Sequence, residues 1–413
     1  MDNQQAREKT VPNEIPVSRV NHHLAHRQHL LPRSQPTQLV QVTRDIAALH
    51  ATGAAGPYLS LWARVAGFQR RALEEALYNR RELVRLLCMR TTLHLVASDE
   101  MPFFHQAYLA QRGPIELRDT RRLLVQAGLV TEREAGALLE GLQRQVLDFL
   151  TEKGPSTVRQ INSAVPELQA RVRYDEDKSY GGEFSVGSRL VPSMCALGLL
   201  VRARARGTWR SNLYEYATFA EWLPNLDLES VTPMEARTWL VRRYLSAFGP
   251  ATIDDVQWWT GFSRGRTEEA LTNLNSELAE VAIEGLGNEH LMLVDVGQTL
   301  RAWPAEGGPS AFFLPSLDPY IMGYKDRRRF LAVEHHDKVF DRAGNAMPTV
   351  WVDGSVVGAW LHRKDGRVVF GLFEPVRKSA RARLETKRLE LERFLGDEYL
   401  PVRTHTTFTR ILT

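Results

Sequence analysis

The segment Gly154-Pro-Ser-Thr-Val-Arg-Gln-Ile161 is repeated as Gly249-Pro-Ala-Thr-Ile-Asp-Asp-Val256. Each copy follows a helical pattern, breaks it with Gly-Pro, and supplies a serine or threonine that can cap the next helix. A further helix and a hairpin follow each copy, with the hairpins at 199–216 and 281–294. Helix, Gly-Pro, helix, helix, hairpin is the order of a winged helix. The repeat therefore predicts two winged helices in tandem.

Helical patterns precede the repeat, and strand patterns follow it. Apolar spacing predicts helices over 37–49 and at about 68–86, 99–111, 114–127 and 131–153, with a short strand over 89–96. From about residue 311, short strands with Asp-Gly turns precede a charged helix over 377–395 and a last strand over 402–412.

We therefore predict a helix-rich α+β fold, with tandem winged helices followed by a small C-terminal β-barrel. Residues 1–150 are predicted to form a separate N-terminal unit, because their helical patterns end where the repeat begins. The predicted domain boundaries are 1–150, 151–224, 225–310 and 311–413.

Composition excludes several classes of protein. With 413 residues, 43% of them hydrophobic and 25% charged, the chain has the balance of a globular protein with several domains. No apolar run approaches the roughly 18 residues that cross a bilayer. The polar N-terminus lacks a signal-peptide pattern, and two cysteines, Cys88 and Cys195, support neither a disulfide framework nor a cysteine-based zinc site. We expect a cytoplasmic protein.

Charge is unevenly distributed along the chain. Residues 221–310 carry 6 basic and 14 acidic side chains, whereas the blocks before and after them are net basic. This pattern suggests that a polyanion is bound by some modules and not by the acidic one.

The first predicted hairpin carries arginines along one face. Arg202, Arg204 and Arg206 recur at period two, and Arg210 follows on the turn or the partner strand. Such a row suits DNA phosphates or the minor groove, and the second hairpin lacks arginine. The alternative is an edge strand protected by charge.

A histidine row near the N-terminus leaves its function open. His22, His23, His26 and His29 fall largely on one helical face, where a metal site, a nucleic-acid contact or a plain surface are the alternatives. No P-loop, serine-elbow or zinc-protease motif is present. Composition and spacing alone therefore predict no more than a protein with tandem winged helices that binds nucleic acid.

Several stretches resemble the AlkZ/YcaQ family of winged-helix DNA glycosylases. They cover about residues 20–375 in the order that the family has. The stretches are His26-Arg-Gln-His-Leu30, Pro57-Tyr-Leu-Ser-Leu-Trp-Ala-Arg64, Arg90-Thr-Thr-Leu-His-Leu-Val96, Phe248–Gly261, Leu314–Arg327, Val339–Asn345 and Pro348–Trp360.

The resemblance implies three winged-helix units and a C-terminal β-barrel arranged as a C around duplex DNA. It also implies hydrolysis of the N-glycosidic bond of alkylated purines, including bulky adducts, and in some members protection of an antibiotic producer from its own genotoxin. No metal or cofactor is implied, because hydrolysis needs only water.

The family's active-site motif is Gln-x-Gln or Gln-x-Asp, and the matching positions here are His50-Ala51-Thr52. We expect His50 to activate a water and Thr52 to position it. The alternative is that the substitution abolished catalysis and left a DNA-binding protein.

Other residues are expected to line the DNA cleft. Arg27 is a predicted DNA contact, and His94 is expected to be a packed histidine of the core or beside the active site. In the most family-specific segment, contact with the lesion and a structural turn are equally supported for Asp318, Tyr320, Tyr324 and Arg327.

The predicted function is a monofunctional glycosylase of base-excision repair that acts on bulky alkylpurines, chiefly N7-guanine adducts of an antibiotic. Its partner would be duplex DNA carrying such adducts, near the nucleoid, with the enzyme a monomer that needs no membrane or obligate protein partner. The rivals are a non-catalytic winged-helix regulator, which would need a palindromic site, and a lesion sensor.

Overall fold

A computed structural model describes residues 14–174, 182–304, 308–401 and 406–412. Contacts divide the chain into two compact units. The split unit combines Met1–Gln35 with Val241–Thr413, and the inserted unit is Pro36–Leu240. Of the described helices, none is both long and apolar enough to cross a membrane.

The chain is α+β, with helices as its larger part. The helices are α1 (Val17–Arg27), α2 (Leu39–Asp45), α3 (Gly56–Trp62), α4 (Arg70–Glu74), α5 (Met101–Gln126), α6 (Ala135–Lys153), α7 (Val158–Ala164), α8 (Gly187–Ala196), α9 (Phe219–Trp222), α10 (Pro233–Phe248), α11 (Ile253–Thr260), α12 (Arg264–Asn273), α13 (Val294–Ala302), α14 (His336–Val339), α15 (Lys378–Leu395) and α16 (Thr407–Leu412). The strands are β1 (Leu49–His50), β2 (Leu83–Leu87), β3 (Leu93–Ala97), β4 (Ser156–Thr157), β5 (Arg171–Tyr174), β6 (Gly182–Ser185), β7 (Leu200–Ala205), β8 (Tyr214–Thr218), β9 (Leu278–Ile283), β10 (Gly287–Leu293), β11 (Ala311–Leu314), β12 (Thr349–Val352), β13 (Ser355–His362) and β14 (Val368–Leu372).

The internal repeat is present in three dimensions as the same order of elements. Helix, capped helix, helix and hairpin occur as α6-α7-α8-β7-β8 and again as α10-α11-α12-β9-β10, and the first copy has an additional hairpin, β5–β6, between α7 and α8. Both capped helices begin with a capping box, formed by Thr157 with Gln160 and by Thr252 with Asp255. In the second copy Asp255 is also buried, and its Oδ1 accepts the backbone N–H of Lys325 at 2.8 Å.

The inserted unit contains two three-stranded sheets, ordered β1-β3-β2 and β4-β8-β7. Helices α6, α7 and α8 pack against the second sheet, and α5 packs against α6 and α8. Their shared core includes Leu142, Val146, Leu190 and Tyr216. The first sheet is short, yet it holds the segment that contains His50, because β1 pairs with β3.

Two predicted helices end earlier than their apolar spacing indicated, and the one expected over 37–49 ends at Asp45, with residues 49–50 forming β1. The helix expected over 68–86 consists of α4 and a π-helical turn over Glu75–Asn79, and residues 83–87 are strand β2. Arg81 adopts a left-handed φ of 55°, which breaks the helix, and β2 then pairs with β3. The two helices expected at 99–111 and 114–127 are instead the single helix α5, with Pro114 inside it.

The expected C-terminal β-barrel is not closed in the part of the chain that the structure describes. Strands β11, β12, β13 and β14 form an open antiparallel sheet in that order. Helix α15 packs against the two edge strands, β11 and β14, so a helix covers the edges that a barrel would join by hydrogen bonds. Inside, Tyr320 stacks on Trp351 with ring centroids 4.9 Å apart.

The last strand predicted over 402–412 is also wrong where it can be compared. Residues 402–405 lie outside the described residues, and Thr407–Leu412 form α16. Thr406 and Thr409 satisfy each other's backbone N–H groups with their hydroxyls, which starts the helix. Phe408 packs on Phe373 at 4.8 Å between centroids.

Candidate active site

His50 and Thr52 lie where strand β1 ends in a bend. Ala47, with a left-handed φ of 66°, turns the chain from α2 into β1. His50 is half-buried, Ala51 is fully buried and Thr52 is exposed. The Ala51 N–H donates to the Leu93 carbonyl oxygen at 2.8 Å. Thr52 lies in the bend just after β1, so the buried Ala51 separates two polar residues that are both more accessible than it is.

Gly56 shows how tightly the chain folds back beneath His50. This glycine begins α3, and a Cβ added to it would lie 2.9 Å from the His50 carbonyl oxygen. Any larger residue would displace backbone at the candidate site. A side chain at position 56 therefore does not fit the backbone path that joins β1 to α3.

A second histidine faces His50 across the β1–β3 ladder. His50 and His94 are direct register partners, and their ring centroids are 5.1 Å apart in an edge-to-face arrangement. His94 is buried, and its Nδ1 lies 3.1 Å from the Thr92 carbonyl oxygen. Desolvation by burial, with a smaller contribution from His50, lowers the pKa of His94 to about 3. His94 is therefore neutral at physiological pH.

The turn before β3 is conformationally strained. Arg90 and Thr91 both adopt left-handed φ angles, 51° and 64°, although neither is glycine. Both are solvent-exposed, and the positive charge of Arg90 contributes to the low pKa of His94. Strain of this kind is concentrated at functional sites. The turn is included in the candidate site because it directly precedes β3, the strand that carries His94.

A buried arginine lies in the same sheet as His50, on strand β2, and sequence analysis missed it. Arg85 on β2 is 4% exposed, and its guanidinium lies over the rings of Tyr78 and Tyr214 at 5.7 and 5.1 Å. In the described part of the chain, its electrostatic partners are tyrosines, including Tyr58. The available signal was a single charge inside the apolar strand Leu83–Leu87.

The arginine-bearing hairpin β7–β8 packs against this aromatic group. Arg204 is exposed, and its guanidinium lies 4.6 Å from the centroid of the Tyr78 ring. One of its nitrogens donates to Asn79 Oδ1 at 3.3 Å. The π-helical turn over Glu75–Asn79 thus carries the two residues that hold Arg204 in place.

The other three arginines differ in their surroundings. Arg206 is exposed but forms an ion pair with Glu215 at 2.6 Å. Arg202 is half-buried opposite Tyr216, and Arg210 is half-buried in the connection between the strands. A bulge between Arg202 and Ala205 interrupts the register. The predicted DNA contacts by these arginines stay predictions.

Comparison with known proteins identifies the family. A family model described as DNA glycosylase AlkZ-like matches residues 43–395, a range that includes His50, Thr52 and His94. The chain belongs to this family of DNA glycosylases.

A solved structure and a curated protein agree with this result. DNA glycosylase AlkZ of Streptomyces sahachiroi superposes with a TM-score of 0.69, at 23% identity, over 94% of this chain and 99% of that chain, which shows a shared fold. A curated interstrand DNA cross-link repair glycosylase of the same organism is 30% identical over 176 residues. That match spans 41% of this chain and 46% of the relative.

Within the family match, Asp318 and the two tyrosines are fully buried. Asp318 Oδ1 accepts the Tyr320 N–H at 3.0 Å. The Tyr324 hydroxyl donates to the Phe248 carbonyl oxygen at 2.7 Å, and burial raises its pKa to about 12. These internal contacts are those expected of a structural turn, one of the two alternatives. Contact of these residues with a lesion stays a prediction.

Arg27, a predicted DNA contact, and Arg327, a predicted lesion contact, are both engaged within the split unit. Arg327 lies over the rings of Trp258 and Phe340, at 4.9 and 4.2 Å. Arg27 donates to the Gly249 carbonyl oxygen at 2.9 Å, just past the C-terminus of α10, and burial lowers its pKa to about 10. Neither contact tests a role in binding DNA.

The N-terminal histidine row surrounds a tryptophan. His22, His23 and His26 have ring centroids 5.8, 4.9 and 4.7 Å from that of Trp303. Trp303 Nε1 donates to His22 Nδ1 at 2.8 Å. The row therefore packs α1 against the segment after α13.

Among the described residues, one cluster of acidic and histidine side chains has the spacing of a metal site. Glu334, His335 and Glu374 have ligand atoms within 4.8 Å of one another. Lys338 Nζ lies 3.1 Å from His335 Nδ1, and a lysine ammonium can only donate. Nδ1 is therefore the acceptor and Nε2 carries the proton that faces Glu374 at 3.1 Å. This arrangement leaves a neutral His335 no lone pair for a metal, so we assign none.

Proposed function

We propose that this protein is a monofunctional DNA glycosylase of base-excision repair that hydrolyses the N-glycosidic bond of bulky N7-alkylguanine adducts. The observation that carries the proposal is the pair of polar side chains, His50 and Thr52, at the open end of β1 within an AlkZ-like match. The curated relative is named a cross-link repair glycosylase, which supports the substrate class. Self-resistance to a genotoxic antibiotic is the proposed biological role.

The chemistry of the substrate sets what the protein must supply. Alkylation at N7 makes the purine cationic, so the base leaves as a neutral molecule without protonation. What remains is to place a water at C1′ and to stabilise the oxocarbenium-like sugar. A neutral imidazole can accept a proton from that water, which an amide such as glutamine cannot.

His50 and Thr52 are suited to these two tasks, accepting a proton from the water and holding the water in place. His50 is half-buried and Thr52 exposed, while Ala51 between them is buried, and we infer that one water is held by both side chains. We assign His50 as the general base and Thr52 as the residue that positions the water. General-base assistance is worth about 10²–10⁴-fold in rate.

The finer features of the fold are part of this proposal. We infer that the two repeat copies and the N-terminal region are winged-helix units with the boundaries predicted from the sequence, that the protein acts as a monomer, and that it binds duplex DNA. The arginine-bearing hairpin β7–β8 would then be the wing that contacts DNA, through Arg204 above all, since it is exposed and has no acidic partner among the contacts that the structure describes. Arg202, Arg206, Arg210 and Arg27 are secondary candidates.

The wing assignment predicts a measurable loss of phosphate contact. In the Arg204→Ala variant, the affinity for undamaged duplex should fall uniformly across sequences, and the slope of log K against log salt should decrease by about one. Arg367→Ala is the matched control, because that exposed arginine is paired with Asp365 at 2.6 Å in the split unit. An equal loss in both variants would contradict a specific role for Arg204.

The proposed activity is tested by base release. Duplexes carrying N7-guanine adducts, from methyl to a bulky intercalating antibiotic, are incubated with the protein, and free base is measured above spontaneous loss. We expect release of the bulky adduct in preference to N7-methylguanine. Tight binding of adducted DNA without release of any base would indicate a lesion sensor instead. A large preference for one undamaged sequence would indicate a regulator.

A further inference from the structure

His94 has no part in the reaction as proposed above, yet its geometry ties it to His50. The two residues are register partners at the end of a two-residue strand, with an edge-to-face distance of 5.1 Å between ring centroids. Directly opposite residues of an antiparallel pair present their side chains on the same face. Any movement of the His94 ring therefore changes the space that the His50 ring occupies.

The protonation pattern of His94 follows from one hydrogen bond. The Thr92 carbonyl oxygen can only accept, so the His94 Nδ1 at 3.1 Å must carry the proton. Because burial keeps the ring neutral, Nε2 has no proton and is an acceptor. The strained turn that contains Arg90 and Thr91 delivers the Thr92 carbonyl to this position.

Among the described residues, few charges act on His94. The groups that act on His94 are His50 and Arg90. On α2, Arg44 forms ion pairs with Asp99 and Glu100. On the adjacent strand β2, Arg85 lies among tyrosines, and on α3 burial raises the pKa of Tyr58, which therefore stays protonated.

No described carboxylate is among the electrostatic partners of His94. A carboxylate is the usual partner that orients a catalytic imidazole, as in the serine-protease triad. At this site, a ring in contact with His50 is the neutral imidazole of His94.

We propose that His94 is a positioning residue for His50, holding its ring toward the attacking water and stabilising the imidazolium that forms. The inference rests on the proposed function, in which His50 is the base. In that step the water oxygen bonds to C1′, its proton moves to His50, and the electron pair of the C1′–N9 bond leaves with the base, which becomes neutral. The reaction thus creates one positive charge on His50, and a neutral acceptor ring stabilises that charge where a second imidazolium would repel it.

The test compares His94→Phe, which keeps a ring without nitrogens, with His94→Gln, which keeps a polar acceptor. Single-turnover release of the preferred adduct is measured between pH 5 and 8. We expect His94→Phe to lower the plateau rate roughly 10–100-fold and His94→Gln to recover part of that loss. Affinity for adducted DNA should change little. Equal losses in the two variants, or no loss in either, would overturn the proposal.

A second measurement separates this proposal from the glycosylase activity itself. The His50 ring is titrated by NMR in the wild-type protein and in His94→Phe. Loss of a stabilising acceptor should lower the pKa of His50 by about half a unit or more, whereas a purely structural role leaves it unchanged. If the wild-type protein releases no base but the titration shifts, the proposed function fails and the coupling of the histidines stands. If base is released and the titration does not shift, the positioning role is wrong.

Discussion

Replacing His50 with alanine is expected to lower the single-turnover rate of base release from the preferred adduct by about 10²–10⁴-fold. The reason is that the variant loses the general base while the rest of the site stays in place. His50 is half-buried at the end of β1, and the backbone contacts of that strand do not involve its ring. Affinity for the adducted duplex should therefore stay within a few-fold of wild type. The measurement is free base against time with enzyme in excess.

Two controls make the His50→Ala result specific. His336→Ala removes a half-exposed histidine of the split unit, outside the candidate site, and should leave the rate unchanged. Thr52→Val removes a hydroxyl and keeps the shape, so it should cost about tenfold, the value of one hydrogen bond. If His50→Ala retained the full rate, His50 would not be the base. A loss of DNA affinity as large as the loss of rate would indicate a binding role.

A second large effect is expected from pH, because the inserted unit buries two neutral histidines. Burial lowers the pKa of His94 to about 3 and that of His105 to about 4. In the unfolded chain both pKa values are near 6.5. Above pH 6.5 both histidines are neutral in both states, so they cost nothing. As the pH falls below 6.5, the unfolded chain takes up protons that the folded unit does not, and stability is lost until the folded pKa values are reached.

The expected loss is large enough to measure by urea denaturation. Between pH 6.5 and 5 these two histidines together should contribute about 3 kcal/mol to the fall in the free energy of unfolding. Carboxylates are still largely ionised in this interval, so their titration contributes little. The His105→Gln variant should lose about half of this pH dependence, provided that it is folded at pH 7. A free energy of unfolding that stays constant from pH 6.5 to 5 would show that these histidines are accessible to protons in the folded state.

Much of the fold could be predicted because its signals are local. The threonine caps Thr157 and Thr252 satisfy backbone N–H groups within their own first turn, so the Gly-Pro-x-Thr motif sets the start of each helix. The Asp353-Gly354 turn could also be predicted, because Asp-Gly favours the positive φ angles that such turns require. The observed φ angles are 49° and 82°. The helix predicted over 68–86 was wrong because apolar spacing does not distinguish a buried strand from a helix over five residues.

The candidate site was predicted only in part. The motif at His50 and Thr52 could be placed by its resemblance to a family, since it lies a fixed distance before the Tyr58–Trp62 stretch. The pairing of His50 with His94 could not, because the two residues are separated by more than forty positions and meet only through strand register. Arg85 was overlooked for the same reason, as its tyrosine neighbours come from two other elements.

The sequence by itself determined the helix caps, the tight turns and the order of the helices and final hairpin of the repeat, because each depends on hydrogen bonds and backbone preferences within a few residues. Only the tertiary structure decided which rows of polar residues are accessible. It packs the histidine row around Trp303, it pairs Arg206 with Glu215, and it leaves Arg204 exposed beside Tyr78. Periodicity places side chains on one face of an element, but what covers that face is set by contacts between residues distant in the chain.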